Sequence, residues 1–357
     1  MKMTKELIMK LPKTDLHVHL DGSVRISTIL ELAEKDKVKL PSTKIKELKR
    51  KISGENAASL EEYLEGFAIT LSVLQTEESL FRSAYELAED SAKENIRYTE
   101  IRYCPLLHTN KGLGLTAVSN AVLDGLKQAE RDFNITTGLI FCGMRNMSPE
   151  ISVRLASLAT TYKNKGVLGF DLAGQEMNFP AKEHREAFDL ALKNNLNITI
   201  HAGEGYGPES IHQAIHYCGA HRIGHGTRLI EDGDLLNYVN DHRIPIEICL
   251  KSNLDTHTVS SYERHPLSIF YDLGLRVTLN TDNRLISNTD ITNEFMLAVE
   301  HYNFDYPKIK NLIINGFKSS FLPYREKALM LKEVLTELEQ IEREEMKTKK
   351  VDYDDKM

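Results

Sequence analysis

His17 and His19 stand either side of one valine in the apolar run Leu16-His17-Val18-His19-Leu20. Side chains alternate along a strand, so both imidazoles leave one face while Leu16, Val18 and Leu20 point into packing. Two parallel imidazoles can hold one metal ion, although H-x-H on its own equally describes a half-buried strand. Other residues able to do chemistry are scattered along the chain. They are Asp21, Asp171 and Gly174, His201 and Glu204 in I-T-I-H-A-G-E, His225 in R-I-G-H-G, Glu247 ahead of Ser252, and Asp282 with Asn283 in V-T-L-N-T-D-N. Singly, each has a plain explanation: a core or loop histidine, a turn-capping Asp282, a structural Glu247.

The elements that must position them follow a rhythm. Runs of strand type occur at His17–His19, Ile96–Tyr103, Ile135–Met144, Val167–Leu172, Ile198–His201, Arg222–His225, Ile244–Cys249 and Leu275–Asn280. Helical spacing follows each of them, as over Leu115–Phe133, Ala181–Asn194 and Asp290–His301. Strand–helix alternation implies a parallel sheet with right-handed crossovers, and eight units imply an α/β fold closed as a (β/α)8 TIM barrel. An open doubly wound sheet is the alternative, but no G-x-G-x-x-G follows the first strand. After the first strand, about 41–75 reads as a helical insertion. Its Pro41–Ala58 part is polar and lysine-rich, an insertion or mobile cover, and a helix capped by Ser59 and Glu62 runs through Leu74. Ile309–Leu338 reads as added helices and 339–357 as a frayed charged tail, so 1–357 is expected to be one catalytic domain.

In this barrel the reactive residues gather at the C-terminal ends of the strands. His17, His19, His201 and Asp282, from strands one, five and eight, can converge across the mouth as a ligand set for one catalytic divalent ion, most naturally Zn2+. Bound zinc lowers the pKa of water from about 15.7 to about 7, which points to hydrolysis. Glu204, just past His201, can face the metal without ligating it and shuttle protons, and His225 can orient the nucleophile or stabilise its charge.

The 357 residues carry a net charge of -7, with 41% hydrophobic and 27% charged residues, which gives no electrostatic reason for nucleic acid or an anionic membrane as partner. Cys104, Cys142, Cys218 and Cys249 form no C-x-x-C pair, as suits a reducing compartment. The opening M-K-M-T-K-E-L-I-M-K-L-P is too short in its apolar run for a secretory signal, and the expectation is a soluble cytoplasmic protein.

Taken together, L-H-V-H-L-D-G-S (16–23), F-D-L-A-G-Q-E (170–176), H-A-G-E (201–204), R-I-G-H-G (222–226), I-E-I-C-L-K-S-N (246–253), L-N-T-D-N (279–283) and S-S-F-L (319–322) resemble the adenosine deaminases of the metal-dependent amidohydrolase superfamily. The resemblance implies one zinc held by His17, His19, His201 and Asp282. It makes Glu204 the proton donor to purine N1 and His225 the partner of the hydroxide held at the metal. It places the Gly174 N–H at purine N3, Asp21 near the ribose hydroxyls, and Glu247 and Ser252 behind the ligands. The implied reaction is deamination of adenosine and 2′-deoxyadenosine to inosine and deoxyinosine in purine salvage. Adenine, 5′-methylthioadenosine or aminodeoxyfutalosine are the alternative substrates. One departure stands out: the family most often ends strand eight in T-D-D, whereas this chain has Thr281-Asp282-Asn283. An Asn amide can donate to N7 directly, where a carboxylate needs a proton, so Asn283 is expected to keep that contact and change its pH dependence. A related phosphotriesterase or amidase commonly bridges two metals with a lysine or glutamate, and no strand-four lysine stands at Asp171. The H-x-E…P-C-x-x-C pattern of zinc deaminases acting on nucleic acid is absent, which leaves a small purine nucleoside as the expected partner and the oligomeric state open.

Overall fold

The computed structural model describes residues 2–55, 57 and 59–354. Its chain begins with α1 (Lys5–Lys10), β1 (Lys13–His19), α2 (Ile26–Lys35), α3 (Ile45–Ile52), α4 (Leu60–Glu65), α5 (Phe67–Val73) and α6 (Glu77–Lys93). Five strand–helix units follow: β2 (Ile96–Tyr103) with α7 (Leu115–Asp132), β3 (Thr136–Met144) with α8 (Pro149–Tyr162), β4 (Val167–Ala173) with α9 (Arg185–Lys193), β5 (Asn197–Ala202) with α10 (Pro208–His216), and β6 (Arg222–His225) with α11 (Gly233–Asp241). Then come β7 (Ile246–Ile248), α12 (Leu250–Asp255), α13 (Leu267–Asp272), β8 (Val277–Leu279), α14 (Ile291–Tyr302), α15 (Tyr306–Ser319) and α16 (Tyr324–Asp354).

The eight strands lie in sequence order and pair in parallel, as a (β/α)8 barrel requires. Closure between first and last strands is made by a parallel bridge from Val18 to Asp282. There His19 N–H donates to Asp282 C=O at 2.7 Å and Asp282 N–H donates to His17 C=O at 2.7 Å.

Alternation sorts each strand into two faces. Leu16, Val18 and Leu20 are fully buried among the apolar core. The opposite faces fill the barrel with polar groups. Tyr98, Glu100 and Arg102 of β2 meet Thr199 of β5, Arg222 of β6 and Glu247 of β7. Arg102 and Arg222 both reach Glu247, at 2.9 and 2.6 Å, and Arg222 also pairs with Glu100. Buried charges persist when each has a partner. The 319–322 signature closes the lower end of this column. Ser319 C=O accepts from Arg222 at 2.9 Å, and the Phe321 ring lies 3.5 Å from the Arg222 guanidinium carbon.

One expectation needs correction. The helix expected from Ser59 through Leu74 is two helices meeting at Gly66, where a Cβ would fall 2.4 Å from Ile52 C=O. Within the expected helical insertion, the lysine-rich segment carries α3, an amphipathic helix whose Leu48 and Ile52 are buried; Asn56 and Ala58 lie outside the described residues. In the charged segment that begins at Glu339, α16 continues to Asp354, beyond its buried Val334 and Leu338. Residues 355–357 lie outside the described part.

Candidate active site

At the C-terminal ends of the strands lies a cavity of about 400 Å³. Its floor presents His19, Asp21, Gly174, His201, Glu204, His225, Asp282 and Asn283, and its roof is Leu60, Tyr63, Leu64, Phe67, Ala68 and Leu71 of α4 and α5. The roof residues recur at helical spacing, so one apolar stripe faces inward. Among the described residues, this pair of helices lines the cavity, and none of 41–55 or 57 does.

Four ligand atoms converge beneath that roof. His201 Nε2 lies 3.0 Å from His17 Nε2 and 3.1 Å from His19 Nε2, and Asp282 Oδ1 lies 3.3 Å from both His17 and His19 Nε2. Ligands held about 2.0–2.2 Å from one zinc at angles between 90° and 109° stand about 2.8–3.6 Å apart. The donor set therefore fits zinc in spacing and chemistry. Burial holds His19 and His201 below the usual imidazole pKa. For Asp282, burial opposes ionisation, but His17 and His19 overcome it and hold the carboxyl well below its usual range. Against burial, the Asp282 and Glu247 carboxylates raise the His17 pKa, so His17 has a proton to shed when a metal binds. His225 is near enough to compete: His17, His201, His225 and Asp282 also present atoms within 4.8 Å of one another.

The ligands are held from behind. Glu247 lies 2.9 Å from His17 Nδ1, Asp171 lies 3.1 Å from His201 Nδ1, and Ser252 Oγ donates to Asp282 Oδ2 at 2.6 Å. Arg102 ties the two carboxylates together, reaching Asp171 at 3.1 Å and Glu247 at 2.9 Å. Burial raises the cost of charging Glu247, yet Arg102 and Arg222 hold it well below the usual range. His225 and Asp282 both have left-handed backbone, at φ 62° and 58°. For non-glycine residues this conformation costs about 1–3 kcal/mol and persists where the surroundings impose it.

Glu204 is the chemical opposite of Asp282. Burial, with the charges of Asp282 and Glu176, pushes its carboxyl well above the usual range beside the cavity, which favours the protonated form. Its carboxyl lies 3.5 Å from His225 Nε2. The turn that carries it is pinned by Glu176, whose carboxylate accepts N–H bonds from Gly203 (2.7 Å), Glu204 (2.9 Å), Gly205 (2.6 Å) and Tyr206 (3.2 Å). Across the cavity, Gly174 has φ 92°, a backbone only glycine adopts freely. Asp21 Oδ1 and Asn283 Oδ1 are buried without a partner among the described residues, and burial pushes the Asp21 carboxyl up to about 7.

Every site residue expected from the sequence thus lies in or directly behind one cavity. Sequence reasoning missed Arg102, Glu176, Asn253, His265 and His108. Glu176 closes the quoted F-D-L-A-G-Q-E and was the nearest to being found. His108, whose Nε2 lies 3.9 Å from Asp21, carries no motif of its own.

A closed barrel whose mouth joins such a potential metal site to a buried carboxyl of raised pKa has the layout of a metal-dependent hydrolase. Comparison narrows the class. The family profile described as adenosine deaminase matches residues 12–337. An adenosine deaminase of Clostridium acetobutylicum is 42% identical over 331 residues, covering 92% of this chain and 99% of its own. A probable adenosine deaminase of Dictyostelium discoideum is 42% identical over 322 residues, 90% of this chain but only 42% of that longer protein. The crystal structure of an adenine deaminase from Arthrobacter aurescens superposes with a TM-score of 0.86 at 28% identity, covering 91% of this chain and 98% of its own. The chain belongs to the adenosine deaminase family.

Proposed function

We propose that this chain hydrolyses adenosine and 2′-deoxyadenosine at C6, releasing ammonia and leaving inosine and deoxyinosine, with one zinc per chain held by His17, His19, His201 and Asp282. The carrying observation is the convergence of those four atoms, 3.0–3.3 Å apart along four edges, with Glu204 on the same cavity wall, where burial raises its carboxyl above the usual range. Zinc, when bound, supplies acidification of a water from about pKa 15.7 to about 7.

The chain's own residues do the rest. Glu204 donates its proton to purine N1, which makes C6 electrophilic, and then carries a proton from the attacking water towards the departing nitrogen. His225 steadies the attacking oxygen. The Gly174 N–H meets N3, Asn283 faces N7, and Asp21 takes the ribose hydroxyls. The apolar stripe of α4 and α5 keeps bulk water from the reacting carbon. The whole of 1–357 serves as one catalytic domain, with the insertion at about 41–75 contributing the roof. The setting is purine salvage in the cytoplasm; no helix among the described residues is long and apolar enough to cross a membrane.

Free adenine is the substrate of the Arthrobacter relative by its description, and it is the competing reading here. Asp21 favours the nucleoside, because base-only members of the family tend to carry glutamate in the L-D-G position. Loss of the aminopurine ultraviolet band decides, measured with adenosine, 2′-deoxyadenosine, adenine, 5′-methylthioadenosine and aminodeoxyfutalosine. Fastest turnover is expected with the first two; adenosine inert beside active adenine replaces the proposal.

A further inference from the structure

Behind His225, on the side away from the cavity, runs a chain of hydrogen bonds that begins at a group with no choice of role. The backbone N–H of Leu267 donates to His265 Nδ1 at 3.1 Å. That nitrogen is therefore an acceptor. Burial pushes the His265 pKa down to about 3, so the ring is neutral and its single proton sits on Nε2. Nε2 lies 3.2 Å from Asn253 Oδ1, the next acceptor. With its oxygen so engaged, the Asn253 amide has only its NH2 to turn towards His225, and Nδ2 lies 3.0 Å from His225 Nδ1. All three side chains are buried.

We infer that Asn253 and His265 are positioning residues that fix the tautomer of His225, placing its ring proton on Nε2, towards Glu204 and the ligand cluster. An imidazole held this way is a hydrogen-bond donor to the attacking oxygen. Its other nitrogen is already accepting from Asn253, so it has no free lone pair with which to take a proton from water. Proton transfer then falls to Glu204 alone. This inference rests on the place proposed for His225 beside the attacking oxygen, but the tautomer itself is a property of the resting enzyme. α12 is the organising element. Ser252 orients Asp282, Asn253 sets His225, and Thr256 lies against Glu204, all from one short helix and its cap.

The test is long-range 1H–15N correlation of the histidine rings in the zinc-loaded enzyme, with the His225 signals assigned by their loss in His225→Asn. The expected result is a protonated Nε2 and a bare, hydrogen-bonded Nδ1. The reverse pattern in the wild-type protein overturns the inference without any variant. In Asn253→Asp the carboxylate can only accept, so the proton is expected to move to Nδ1. kcat should then fall by about 10²–10⁴-fold with KM and zinc content near wild type. His265→Gln retains a donor to Asn253 and should keep kcat within about threefold, whereas His265→Leu should lose on the order of tenfold and show both tautomers. An Asn253→Asp spectrum and kcat matching wild type also overturn it. An enzyme inert on adenosine but protonated on Nε2 overturns the proposed function and supports the relay.

Discussion

Around the ligand cluster His17 is backed by Glu247, His201 by Asp171 and Asp282 by Ser252, whereas on the facing wall Asp21 Oδ1, Asn283 Oδ1 and the nearby His108 Nε2 have no partner among the described residues. The two sides share one cavity and one degree of burial, so the difference is not one of solvent. A metal site must exist before its ion arrives, and three imidazoles and a carboxylate within 3.3 Å of a neighbour need fixed orientations. A substrate wall instead keeps hydrogen-bonding capacity in reserve, because a group already satisfied has little to offer a purine or a ribose.

That contrast can be broken at several strengths. Glu204→Gln, at the junction of the two sides, should keep its metal by elemental analysis and lose kcat by about 10²–10⁴-fold; retained turnover removes its assigned role. Glu247→Gln should weaken zinc affinity by about 10–100-fold in a competition titration. It also strips Arg102 and Arg222 of a buried counter-charge, so denaturant unfolding should show a loss of about 3–5 kcal/mol. If both quantities stay put, the column of charges is not what holds His17. On the facing wall, Asp21→Asn should raise KM for adenosine on the order of tenfold while leaving zinc content unchanged. A loss of zinc there would mean that the two sides are not separable. The smallest effect is expected from Asn283→Asp. The profile of kcat/KM against pH should change, because a carboxyl donates to N7 only while protonated, and identical profiles and rates would take Asn283 out of contact with the base.

Much of this architecture was open to reading because its signals are local. Strand periodicity located all eight strands, with β7 shorter than the Ile244–Cys249 run and β8 shorter than Leu275–Asn280. The ligands were visible because each sits at a strand end in a recognisable run. What escaped depends on pairings across the sheet. Arg102 looks like one more polar residue of an alternating strand until the barrel closes and brings it to Asp171 and Glu247. Glu176 lies in a loop, and its four N–H partners are 27–30 residues further on. Short elements escaped too: α12 spans only Leu250–Asp255, less than two full turns, too few for a helical period to stand out from L-K-S-N-L-D. Its N-terminus is held from outside, by Glu294 accepting from Leu250 N–H at 2.8 Å.

Asp282 joins two jobs in one residue, since its carboxylate completes the ligand cluster and its backbone fastens the last strand to the first. For a chain emerging from the ribosome this sets an order of events. His17 and His19 are made first, but the fourth proposed ligand, Asp282, and the seam of the barrel arrive together, more than 260 residues later. A truncated chain ending before residue 282 lacks both. On the proposed ligand set, zinc uptake would come late in synthesis and would report that the polypeptide is long enough to have closed upon itself.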